Sequence, residues 1–168
     1  MSSTVNNVEN FIQGDVKKRI DKWISNYPED QRQSACMAAL RIVQEEHNGY
    51  LTTDLMDQIA DYLDMTPISV YEVATFYGNY EHEPVGKIKI CLCNSISCML
   101  RGSEDILAHL ENKLGVKPGE VSEDGKFSIK KVECLGSCGG APMMQIGKTY
   151  YEDLTEESVD KILDGMES

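Results

Sequence analysis

Five of the six cysteines in this 168-residue chain lie in its second half. Cys91, Cys93 and Cys98 fall in "ICLCNSISCML", and Cys134 and Cys138 in "ECLGSCGG". Thiolates grouped in this way bind soft or borderline metals, so zinc and iron–sulfur are the candidates. A tetrathiolate site needs four sulfurs, which leaves one of the five spare. Four residues separate Cys93 from Cys98, and three separate Cys134 from Cys138. Structural zinc pairs favour gaps of about two to four residues, so spacing alone does not exclude zinc. Three features tilt toward iron–sulfur. The gaps are wide enough for a group larger than one ion. Gly136, Gly139 and Gly140 give the second loop a backbone that can approach sulfur closely and donate N–H groups to it. The surrounding domain also has enough apolar residues to fold without a metal staple.

Other redox sites fit less well. Neither the C-x4-C-x2-C pattern of plant-type ferredoxins nor the bacterial C-x2-C-x2-C run is present, and a Rieske centre needs two histidines. His47, His82 and His109 lie outside the cysteine loops and are expected at the surface or in linkers. "CLC" offers C-x-C, not the C-x-x-C of a thioredoxin dithiol. Cys36, inside "SACMAAL", reads as a small core residue. No G-x-G-x-x-G fingerprint, P-loop or catalytic triad is found, so no catalytic residue is assigned and the chain is not expected to oxidise a nucleotide by itself.

The elements that must position these thiols fall into two sets. Residues 1–80 read as a bundle of four short helices. Val16, Ile20, Trp23 and Ile24 make one apolar stripe, "EDQRQSACMAALRIVQEEHNG" a second helix, and Leu55, Met56, Ile59, Ala60 and Leu63 a third face. Thr66 and Pro67 open the fourth, "TPISVYEVATFY", where Tyr71, Phe76 and Tyr77 are expected in the core. "GNYEHEPVG" marks the boundary.

Residues 81–168 then read as β-α-β, a β-hairpin and a final helix. "KIKICL" alternates as a strand, "EDILAHLENKLG" is a helix ended by Gly115, and "KFSIKKVE" is a second strand. "PMMQIGKTYYEDL" turns near Gly147 and Lys148, and the last helix starts at Thr155 and ends before Gly165. The fold class is therefore α+β: a helical domain followed by an α/β domain with a four-stranded mixed sheet. Its first two strands are parallel because a helix joins them.

That skeleton says where the thiols go. Cys93 is placed just past the first strand, with Cys98 entering the next helix. Cys134 is placed just past the second strand, with Cys138 in the same loop. Parallel neighbours end on one edge of a sheet, so the two loops emerge side by side where α/β sheets bind ligands. Cys91 keeps step with Lys87 and Lys89 within the strand, and it is expected to pack there or to neighbour the site.

Composition is that of an ordinary globular protein, 41% hydrophobic and 26% charged. A net charge of −12 argues against nucleic acid and against anionic lipid. No apolar run reaches membrane-spanning length, and "MSSTVNNVEN" is neither signal nor transit peptide, so a cytoplasmic protein is expected.

At "VYEVATFY", "CNSISCMLRGSEDIL" and "ECLGSCGGAP" the chain resembles a known family, the thioredoxin-like [2Fe–2S] subunits of bacterial NADH-quinone oxidoreductase, respiratory complex I. The resemblance runs from about Tyr27 to the C-terminus. It implies a helical N-terminal domain followed by a thioredoxin-like ferredoxin domain. Residue by residue, it implies Cys93, Cys98, Cys134 and Cys138 as ligands of one [2Fe–2S] cluster. It implies a flavoprotein partner carrying FMN and NADH, further peripheral-arm subunits, and attachment to the inner membrane only through the assembled complex. Two alternatives stand beside it: the equivalent iron–sulfur module of an NAD-dependent hydrogenase or formate dehydrogenase, and a non-redox structural zinc module.

Overall fold

The computed structural model describes residues 10–167, which form two compact units divided between Pro84 and Val85. Among the described residues no helix is long and apolar enough to cross a membrane.

The first unit contains α1 (Gly14–Ile24), α2 (Cys36–Glu46), α3 (Thr53–Leu63) and α4 (Pro67–Phe76). The segment expected to begin the second helix is instead a 3-10 stretch, Glu29–Ala35, interrupted at Gln31. The regular helix starts only at Cys36, where the apolar periodicity begins. Ile20, Leu40, Leu55, Ile59 and Val70 fill the centre. Cys36 joins them as expected, and burial pushes its thiol up to about 11, which keeps it inert.

Two threonines fix helix starts. Thr52 Oγ1 accepts the Leu55 N–H at 3.3 Å, and Thr66 Oγ1 accepts the Ser69 N–H ahead of Pro67. Thr52→Ala is therefore expected to destabilise this unit by about 1 kcal/mol. Urea unfolding followed by the fluorescence of Trp23, the single tryptophan, measures it.

The aromatic expectation for α4 holds only for Tyr71, which is half-buried and donates its hydroxyl to Asp57. Phe76 is 80% exposed and Tyr77 is also at the surface. The inward face of α4 runs through Val70 and Ala74, and Phe76, two positions further on, points away from it.

The second unit holds β1 (Ile88–Cys93), α5 (Ile96–Leu100), α6 (Ser103–Leu114), β2 (Phe127–Val132), β3 (Met144–Ile146), β4 (Thr149–Tyr151) and α7 (Glu156–Glu167). The sheet order is β2-β1-β3-β4, with β1 parallel to β2 and the other pairs antiparallel. Ile90, Leu92, Phe127, Ile129 and Met144 pack against Ile106, Leu110, Val159 and Leu163 of the helices.

Gly86 leads into β1. Its N–H donates to Ser128 Oγ at 3.0 Å, and a Cβ there would lie 2.4 Å from the Phe127 carbonyl carbon. The hairpin turns at Gly147, and Thr155 Oγ1 caps α7 through the Ser158 N–H at 3.2 Å. One expectation fails here: α7 runs through Gly165 to Glu167 instead of ending before it. A glycine inside a helix costs about 1 kcal/mol against alanine, and the buried Val159 and Leu163 anchor the helix regardless.

The acidic C-terminal segment is tied internally. Asp160 Oδ1 lies 2.8 Å from His109 Nε2 and 3.0 Å from Lys113 Nζ, and Asp164 lies 2.8 Å from the same lysine. The His109 contact, then Lys113, holds the Asp160 carboxyl below its usual range. His109 is thus a bridge between α6 and α7. His47 is in turn stacked near Phe11 and Tyr50, and His82 bonds the Ala74 carbonyl.

Candidate metal centre

Cys93 is the last residue of β1, opposite Val132 of β2, and not a loop residue beyond it. Its N–H donates to the Met143 carbonyl at 3.1 Å, so the neighbouring β3 side extends the ladder to this point. Cys98 is carried by the separate five-residue helix α5, and Gly102, in a left-handed conformation, divides α5 from α6. Cys134 follows β2 after Glu133, and Cys138 opens a 3-10 turn ending at Gly140. The two parallel strands thus deliver both loops to one sheet edge.

The thiols differ sharply in setting. Cys93 and Cys98 are each 2% exposed and pack with Ala141, Met143 and Leu135, whereas Cys134 and Cys138 are exposed. Cys134 Sγ and Cys138 Sγ lie 3.9 Å apart, and the Gly136 N–H donates to Cys134 Sγ at 3.4 Å. Gly136 is at φ +82°, a conformation that side chains rarely adopt. Cys93 Sγ donates to the Glu133 carbonyl at 2.9 Å. Burial, then the neighbouring Cys93 thiol, pushes the Cys98 thiol up. The Cys134 thiol pushes up Cys138.

The donor set at this edge is four cysteine thiols, the chemistry of soft and borderline metals. The buried Asn94 Oδ1, beside Cys93, has no hydrogen-bond partner, and turning that amide would offer its NH2 group.

Cys91 stands two residues back on β1, opposite Lys130 on one side and Gln145 on the other. Strand alternation puts it on the face of Cys93, half-buried and within the ladder. Sequence reading did not single out Tyr150, Glu152 or Ser137. Yet the Tyr150 hydroxyl donates to the Leu135 carbonyl at 3.0 Å, and the Ser137 hydroxyl donates to Glu152. The only signal for Tyr150 and Glu152 was their place in the predicted hairpin segment "PMMQIGKTYYEDL".

The sheet thus carries two pairs of cysteines at the carboxyl edge of its parallel strands, the donor chemistry of a thiolate-bound metal centre. A family model for the thioredoxin-like [2Fe–2S] ferredoxins matches residues 20–167. The second E-type chain of NADH-quinone oxidoreductase from Rhizobium meliloti (strain 1021) is 42% identical over 149 residues, covering 89% of this chain and 87% of that protein. The E-type chain of the same oxidoreductase from Rickettsia bellii (strain RML369-C) is 43% identical over 141 residues, 84% of each. The chain belongs to the thioredoxin-like [2Fe–2S] ferredoxin family, and its cofactor is one [2Fe–2S] cluster. Among solved structures, an NAD+-reducing [NiFe]-hydrogenase in the air-oxidized state has a TM-score of 0.67 at 18% identity, a likeness of fold. The match covers 84% of this chain and about a quarter of the hydrogenase chain, 24%.

Proposed function

We propose that this chain is the electron-transfer [2Fe–2S] subunit of an NADH-quinone oxidoreductase, with its cluster held by Cys93, Cys98, Cys134 and Cys138. The observation that carries the reading is that two parallel strands bring both cysteine pairs to one sheet edge. When bound, a [2Fe–2S] cluster accepts one electron at a time, whereas NADH gives two as hydride, so a flavin on a neighbouring chain must divide the pair.

The chain's own residues supply the rest. The four thiols lose their protons to become ligands, Ala141, Met143 and Leu135 keep water from the Cys93–Cys98 side, and the Gly136 N–H offsets charge at Cys134. The partner in this reading is an NADH-binding flavoprotein carrying FMN, within a complex whose other peripheral subunits fix both chains. Location is cytoplasmic, on the inner membrane through that complex.

The equivalent module of an NAD-dependent hydrogenase is the second reading, with only the likeness of fold behind it. Anaerobic copurification from the native cell separates the two. Reddish-brown material with equal iron and acid-labile sulfide, bound to an FMN-containing chain and quinone-reductase subunits, is the expected result. Hydrogenase subunits in their place would favour the second reading. Colourless protein containing zinc would overturn both.

A further inference from the structure

We propose that Glu152 is a positioning residue for the Cys134–Cys138 pair and that its fixed charge lowers the cluster's tendency to accept an electron, a role that rests on the ligand set proposed above. Residues Tyr150 to Leu154, the end of β4 and the approach to α7, run along the loop that carries the exposed thiols. Four hydrogen bonds tie the two together. The Tyr150 hydroxyl donates to the Leu135 carbonyl at 3.0 Å and the Ser137 hydroxyl donates to the Glu152 carboxylate. The Asp153 N–H reaches the Gly140 carbonyl at 2.7 Å, and the Leu154 N–H reaches the Pro142 carbonyl at 3.0 Å.

Glu152 makes the most specific of these contacts. Its stem occupies the space beside Gly140, where an added Cβ would meet Glu152 Cβ at 2.7 Å and Cδ at 2.9 Å. Ser137 and Gly140 bracket Cys138 in sequence, so one side chain grips the loop on both sides of a thiol. That thiol and Cys134 are exposed, and the buried pair has its own packing to hold it. The exposed pair therefore depends on this strap. The carboxylate, held by the hydroxyl of Ser137 next to Cys138, places a negative charge on the loop whose sulfurs are themselves anionic when ligating, and reduction adds one more. Like charges on one loop oppose that addition.

The test uses the full iron-loaded chain, titrated with dithionite and followed by visible absorbance and EPR, beside iron analysis. Glu152→Gln keeps the stem and an oxygen for Ser137, so it should retain iron. Its ratio of reduced to oxidised cluster at a fixed poise should rise about threefold, roughly 28 mV for a one-electron couple, and less so at high salt. Glu152→Ala should release iron to a chelator several times faster than wild type. An unchanged potential in Glu152→Gln at low salt would overturn the charge role, and wild-type iron retention in Glu152→Ala the positioning role. Failure of the ligand assignment is separate: a Cys134→Ser, Cys138→Ser double variant would then keep its iron.

Discussion

Cys93→Ser should strip the iron from this protein, and Cys91→Ser should leave it bound. The two residues sit on the same face of β1, two positions apart, so the contrast isolates position from chemistry. Cys93 ends the strand and is buried with Cys98 among Ala141 and Met143. Serine there offers a poor oxygen ligand for a soft metal. In the ligand set proposed above, Cys98 would also lose its partner. Cys91 lies within the ladder, flanked by Lys130 and Gln145, and does not belong to the group around Cys93. Iron and visible absorbance per chain should fall to near zero in the first variant and stay at wild-type level in the second. The opposite outcome would move the ligand two residues back along the strand.

Gly86→Ala should destabilise the second unit by about 3 kcal/mol, the upper part of the range for forcing added atoms into packed structure. The added Cβ would meet the Phe127 carbonyl carbon at 2.4 Å, its oxygen at 2.7 Å and the Ser128 nitrogen at 2.7 Å. These are backbone atoms of β2, which cannot swing aside as a side-chain tip could. Either β2 shifts from β1 or the Gly86–Ser128 hydrogen bond breaks. Both begin at the far end of the strands whose near end carries Cys93. Loss of visible cluster absorbance in a urea titration measures the change. A midpoint equal to wild type would mean that the chain before β1 can move away at no cost.

Much of this architecture was legible because local signals agreed with one another. The helix between the first two strands dictated their parallel pairing, and that pairing alone brought both cysteine loops to one edge. Thr66–Pro67, Gly115, Gly147 and Thr155 mark turns and caps whose chemistry is short-range. What escaped was tertiary. Phe76 is apolar, yet its exposure follows from where Val70 and Ala74 fall around α4. The 3-10 stretch before α2 has no periodicity long enough to distinguish it from a helix start. Glu152 looked like one acid among many because nothing local says that Gly140 waits beside it.

The clasp between α6 and α7 changes how the chain's acidity acts at a distance. Asp160 and Asp164 meet His109 and Lys113, and Glu157 meets Lys161 at 2.7 Å. Charges paired at such range form short dipoles whose fields decay within a Debye length, about 8 Å at physiological salt. The formal sum of −12 already counts Lys113 and Lys161, so these pairs leave the long-range steering field to the carboxylates that outnumber the cations.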